Sequence, residues 1–283
     1  MLHIITDSMS DYIHTAHRDP GVRFAFQPVR FGMEEFMDDG VTLTQADFYA
    51  RLRTASELPK TSMVPMQAWL DALESALSDP ADTALVITGS SRLSGGCQSA
   101  LNAAEAIRQP GRVIVVDSLS ASCGEILLVD CAVRMRDAGS TLDEAAAAVD
   151  ALRVRTHIVG LADDLKYLVM GGRLNPIVGK VGSALSIKPT LKLEGGVIEK
   201  AGMVRGVKKG YQWYVDQLRL FPPDTSVPMY IGGADCPETT DMLKALFESA
   251  GLPLPEIRCV GIGCLIGAHV GPGMTLVAWA TKE

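Results

Sequence analysis

A chain of 283 residues exceeds the usual size of one compact domain, so two domains are expected. Its 47% hydrophobic and 21% charged residues exclude a disordered or fibrous chain. A formal net charge of −7 excludes a general nucleic-acid binder, since neutralising phosphates takes clustered Lys and Arg, though it leaves room for a local basic patch.

The cysteines at 97, 123, 131, 236, 259 and 264 include no CxxC pair, and a chain this long needs no disulfide staples. Reduced thiols in a reducing cytosol are expected. The five histidines are scattered, none pairs with a cysteine at zinc spacing, and no metal or cofactor is predicted. No stretch approaches the ~18 apolar residues of a membrane span. The start lacks the basic and apolar regions of a secretory signal, so a cytoplasmic protein is expected.

In chain order, residues 2–6 form an apolar run that stops at Asp7-Ser8. The same pattern recurs at 84–88 before Gly89-Ser90-Ser91 and at 113–116 before Asp117-Ser118. Such continuous runs suit strands buried on both faces of a parallel sheet. Between them, Phe48 and Leu52, then Trp69, Leu70, Leu73 and Leu77, repeat at helical spacing. Helices are predicted at 66–77 and 97–108, and an alanine-rich one around 143–153. This alternation predicts a three-layer α/β domain over residues 1–155.

The pattern then changes. A strand is predicted at Thr156–Leu161 and a helix at 163–170, ended by Gly171-Gly172. Strands at 187–193 and 197–201 flank Glu194-Gly195-Gly196, a hairpin signal. A helix follows at Val207–Leu220, then strands at 229–231, 257–261 and 274–280 with a helix near 238–249. Residues 156–283 therefore read as a mixed α+β domain, with the interface between the halves expected to be substantial.

Several polar segments could carry chemistry. Ligands of parallel sheets bind beyond the carboxyl ends of the strands, where the loop at 89–96 lies. Ser94 there reads equally as the cap of the following helix or as part of an anion site. Thr61 and Ser62 precede Pro65 and a helix start, where capping is the favoured reading. The segment Gly267-Ala268-His269-Val270-Gly271-Pro272-Gly273 reads as a tight loop with His269 as its one ionisable side chain. Arg173, at a helix end, suits either the helix dipole or an anion. Arg205, Lys208 and Lys209 form a short basic run, either a solvated face or a docking patch.

Together these segments carry a resemblance. Ile5-Thr6-Asp7-Ser8, Lys60-Thr61-Ser62, Leu93-Ser94-Gly95 with Gln98-Ser99-Ala100, Gly171-Gly172-Arg173, Ile187-Lys188-Pro189, the Arg205 segment and the 267–273 segment are similar, in order and spacing, to the DegV family of fatty-acid-binding proteins. The resemblance implies an α/β fold of two domains, a three-layer parallel-sheet domain and a two-layer mixed-sheet domain, with a long-chain fatty acid in the cleft between them. It implies that Thr61 and Ser94 hold the carboxylate, beside Ser62 and Gly95, with Arg173 and His269 close by. It further implies that the chain is no enzyme itself but the ligand-binding subunit of a bacterial fatty-acid kinase. Arg205 and Lys208 would dock a separate kinase subunit, which uses ATP and magnesium to make an acyl phosphate for phospholipid synthesis. Transient contact with a membrane surface fits that role, and nucleic acid does not. Met63 and Val64 depart from the family's usual Gln and Pro after Thr-Ser, and Gly96-Cys97 from its usual Thr and Tyr after Leu-Ser-Gly.

Two other functions are compatible with single segments. A hydrolase or transferase would use Ser94 as nucleophile and His269 as base, but Arg92 and Leu93 replace the first half of a G-x-S-x-G elbow. A nucleotide binder would use the 89–96 loop, which lacks both G-x-G-x-x-G and the P-loop lysine.

Overall fold

The computed structural model describes residues 1–175 and 187–282. Its first half contains β1 (Leu2–Asp7), β2 (Arg23–Ala25), β3 (Pro28–Phe31), β4 (Glu34–Met37), α1 (Gln45–Thr54), β5 (Lys60–Thr61) and α2 (Met66–Ala76). It continues with β6 (Thr83–Thr88), α3 (Gly96–Ala106), β7 (Val113–Asp117), α4 (Cys123–Asp137) and α5 (Leu142–Arg153). The second half contains β8 (Thr156–Leu161), α6 (Lys166–Met170), β9 (Ile187–Glu194), β10 (Val197–Arg205) and α7 (Val207–Leu220). It ends with β11 (Met229–Gly233), α8 (Pro237–Ser249), β12 (Ile257–Gly261), α9 (Cys264–Val270) and β13 (Thr275–Ala280).

The first sheet is parallel throughout, in the order β2-β1-β6-β7. Its apolar runs are buried on both faces, as continuous apolar strands require. Ile5, Ala84 and Val86 point to α2 and α3, where Trp69, Leu73, Ala100 and Ala103 cover them. Ile4, Leu85 and Ile87 point the other way, into a core shared with α4 and α5. Three layers result.

The second sheet has the order β10-β9-β8-β13-β11-β12, antiparallel except for the β11–β12 pair. Along β13, Val277 and Trp279 meet Tyr214, Leu218 and Phe247 of α7 and α8. The alternate residues Leu276, Ala278 and Ala280 join the core containing α4. Every residue of α4 from Cys123 to Ala132 is buried, and the two carboxyl groups in that stretch are partnered, Glu125 accepting from the Thr6 hydroxyl and Asp130 from Tyr230. This helix is the layer between the two sheets, and one apolar core runs through both halves of the chain.

A three-stranded sheet, β4-β3-β5, absent from the sequence reading, packs against α9. It pairs Thr61 with Val29, so Thr61 stands in a strand. The expected capping role of Thr61 and Ser62 does not occur: Pro65 occupies the N-cap of α2, which has no side-chain cap. The 267–273 segment also differs from expectation. Residues 264–270 form α9, because Cys264 to Ala268 are all buried and the Asp38 carboxylate accepts from the Cys264 and Leu265 amides at its start. Gly267 serves close packing, since a Cβ there would lie 2.6 Å from the Tyr49 hydroxyl. The chain turns only afterwards, at Gly271 and Gly273, which have φ of +72° and +82°.

Candidate functional site at the junction of the two sheets

The parallel sheet reverses strand order between β1 and β6, the place where ligands of such sheets bind. The loops that follow these strands are tied together there, with Asp7 accepting from the Gly89 and Met9 amides. A cavity opens between these loops and one face of the mixed sheet. Apolar side chains make most of its wall, among them Ile158, Leu191, Leu193, Leu265 and Leu276. Thr61, Ser62, Ser94, Arg173 and His269 all line it. Gly95 does not, but a side chain there would strike Met63, since its Cβ would lie 2.6 Å from the Met63 sulfur.

Four of these polar residues form a linked group, brought together from β5, the β6–α3 loop, the turn after α6 and the last turn of α9. His269 Nε2 and the Thr61 hydroxyl are 2.8 Å apart. Arg173 Nε donates to the Leu93 carbonyl at 3.3 Å, beside Ser94, and Arg173 also donates to the Gly171 carbonyl. The Ser94 hydroxyl accepts from the Gly96 amide at 3.3 Å, within the start of α3 whose N-cap is Gly95. His269 Nδ1 is buried without a hydrogen-bond partner among the described residues. It lies against Gly171, where a Cβ would stand 2.5 Å away.

Electrostatics follow from burial. Desolvation, and secondly the Arg173 charge, bring the His269 pKa down to about 4, so the ring is neutral at pH 7. Burial also lowers the pKa of Arg173, a half-buried cation with no carboxylate at ion-pair distance among the described residues. The arrangement presents hydroxyls, a neutral imidazole and an uncompensated guanidinium at one part of an apolar cavity. Such a set suits a singly charged anion on an apolar body.

It does not suit nucleophilic catalysis by Ser94. Ser94 and His269 share no hydrogen bond: His269 bonds Thr61 instead, and no carboxylate orients its other nitrogen. Among the described residues, no group of three or more His, Cys, Asp or Glu could hold a metal ion. Nor is any described helix long and apolar enough to cross a membrane.

Arg205 and Lys208 stand apart from the cavity. Arg205 ends β10, Lys208 opens α7, and both are exposed. One lining residue carried no signal in the sequence. Gln27 is 1% exposed, lines the cavity, and leaves Oε1 without a partner.

Residues 1–282 match the model of the DegV family, described as uncharacterised protein. The chain belongs to the DegV family. A fatty acid-binding protein of Thermotoga maritima is 31% identical over 234 residues, which are 80% of this chain and 79% of that protein. A fatty acid-binding DegV family protein from Thermus thermophilus superposes with a TM-score of 0.88 at 28% identity, over 99% of each chain. The Fatty Acid Kinase (Fak) B3 protein of Streptococcus pneumoniae, loaded with linoleic acid, gives a TM-score of 0.88 over 100% of both chains. At 22% identity that last likeness is one of fold alone. The DegV fold, a parallel-sheet domain joined to a mixed-sheet domain, is thus common to all these chains.

Proposed function

We propose that this chain binds a long-chain fatty acid in the cavity between residues 1–155 and 156–283 and presents its carboxylate to a separate ATP-dependent kinase subunit. The observation that carries the reading is the composition of one cavity: a largely apolar wall, with Thr61, Ser94, Arg173 and His269 among its few polar lining residues. The Thermotoga and Thermus relatives, which bind fatty acids, support the ligand class.

The energetics assign different work to tail and head. Burying a sixteen-carbon tail from water contributes about 11 kcal/mol at ~0.8 kcal/mol per methylene. A tail drawn from a bilayer is already out of water, so that term nearly cancels on transfer. The head group then sets orientation, through charge-assisted hydrogen bonds of about 1.5–3 kcal/mol each. A His269 tautomer with its proton on Nε2 donates to Thr61 and turns its Nδ1 lone pair to the Arg173 field. The Thr61 hydroxyl proton is then free for the carboxylate. Arg205 and Lys208, exposed and outside the cavity, are available to a docking protein.

A kinase must reach the carboxylate oxygen, so a role in presentation separates from a role in retention. His269→Ala is expected to lower acyl-phosphate formation with the kinase subunit more than it lowers fatty-acid retention, measured by radiolabelled phosphate transfer and by ligand titration. Equal losses in both assays would restrict His269 to binding.

A further inference from the structure

A second space adjoins the cavity. This open recess meets the cavity at Leu93, Arg173 and Ile198, which line both. Its other described walls include Arg92, Gly172 and Val197, and no acidic side chain is among them. That is unusual placement in a chain of net charge −7. Arg92 forms no ion pair with any described residue. Two acidic residues on the adjoining elements are engaged elsewhere: Asp117 accepts from the Ser91 and Leu119 amides, and Glu194 pairs with Lys192.

The backbone of Arg92 is held in place. Its amide donates to the Ser90 hydroxyl at 3.2 Å, and the same hydroxyl donates to the Gly196 carbonyl at 2.8 Å. The tip of the β9–β10 hairpin thereby lies against the Arg92 stem, so close that a Cβ at Gly196 would stand 3.0 Å from Arg92 Cγ. Arg92 and Arg173 consequently flank one opening, the first exposed and the second half-buried.

We infer that this recess is a subsite for the phosphoryl group of an acyl phosphate, with Arg92 and Arg173 as its cations. The inference rests on the fatty-acid reading above. In the transfer, a carboxylate oxygen forms a bond to the terminal phosphorus of a nucleoside triphosphate, and the bond from that phosphorus to the bridging oxygen breaks, leaving its electron pair on the nucleoside diphosphate. The product carries a phosphate dianion on the head of the chain. An apolar cavity cannot take that group, whereas an adjoining recess bearing two guanidinium groups can, by bidentate hydrogen bonding.

The test compares two ligands of equal chain length, a fatty acid and the 2-oxoalkylphosphonate in which a methylene replaces the anhydride oxygen of the acyl phosphate. Arg92→Gln is expected to weaken the phosphonate about tenfold while the fatty-acid Kd stays within twofold, and Arg92→Lys is expected to restore part of the loss. Equal weakening of both ligands, or no weakening of the phosphonate, would overturn the subsite and leave the fatty-acid reading standing. Wild-type protein that binds neither ligand would overturn the fatty-acid reading and the subsite with it.

Discussion

At the scale of single residues, the state of His269 depends on how closely Gly171 approaches it. Burial holds the folded imidazole at about 4, against 6.5 when it is free, so between those values the unfolded chain binds the proton and the folded chain does not. This group therefore lowers stability as pH falls through that window, and above it the ring is neutral. Asp7 and Asp11 act in the opposite sense, since burial raises each to about 7 and favours the protonated folded form at lower pH. A methyl group at Gly171 would displace the imidazole from Thr61. Gly171→Ala is accordingly expected to weaken fatty-acid binding about tenfold, the worth of one hydrogen bond to an anion. Its backbone φ of −73° suits alanine, but the added Cβ would also stand 2.9 Å from the Tyr167 carbonyl, so a lower melting temperature is expected as well, and calorimetry beside ligand titration checks both.

What the sequence conveyed at this scale was uneven. Arg173 and His269 were legible as candidates because a charged or ionisable residue beside glycines is conspicuous. From its local sequence Thr61 read as a helix cap, and only the family resemblance marked it as a site residue, because its pairing with Val29 depends on β3, 32 positions earlier, and no local pattern announces it. Gln27 gave no signal at all. Its burial in the cavity wall is a product of tertiary packing.

At the scale of elements, the β9–β10 hairpin and the β6–α3 loop depend on each other. Gly195 and Gly196 both take positive φ, +56° and +83°, the turn in which a two-residue loop matches strand twist. The Glu194-Gly195-Gly196 signal therefore identified the hairpin correctly, while its docking on Ser90 was invisible. Leu191, Leu193 and Ile198 of this hairpin line the cavity, so the single Ser90 to Gly196 bond fastens part of the cavity wall. Ser90→Ala leaves that carbonyl without its partner and costs about 1–2 kcal/mol locally. Hydrogen exchange over residues 191–200 is expected to quicken about tenfold and ligand dissociation several-fold. Unchanged exchange would mean that the hairpin is held by its strands alone.

Elements with long apolar periodicity were the legible ones, among them β1, β6, β7, α2 and α7. The strands β2, β3 and β4 are only three or four residues long and show no regular alternation of buried and exposed positions, so they fell below any pattern. Helix α9 was read as a loop because its glycine counted as a breaker, when the residue is there for contact with Tyr49.

At the scale of the molecule, α4 makes the two halves one body. It lies between the sheets, and its Asp130 accepts from Tyr230 of β11 at 2.7 Å and pairs with Arg258 of β12 at 3.2 Å. The cavity is therefore built from both halves of the chain at once: the β6–α3 loop brings Ser94, the segment after α6 brings Arg173, and α9 brings His269. Neither half alone supplies this set of side chains. The claim that this joint cavity is a fatty-acid site is tested most directly by denaturing the purified protein, extracting it with organic solvent and identifying the released molecule by mass spectrometry. The account predicts a long-chain fatty acid in close to one-to-one ratio with the chain, and loss of that ligand when Thr61 and Ser94 are both replaced by alanine. Full-length protein that yields no lipid, and that takes up none when offered fatty acid, would contradict it.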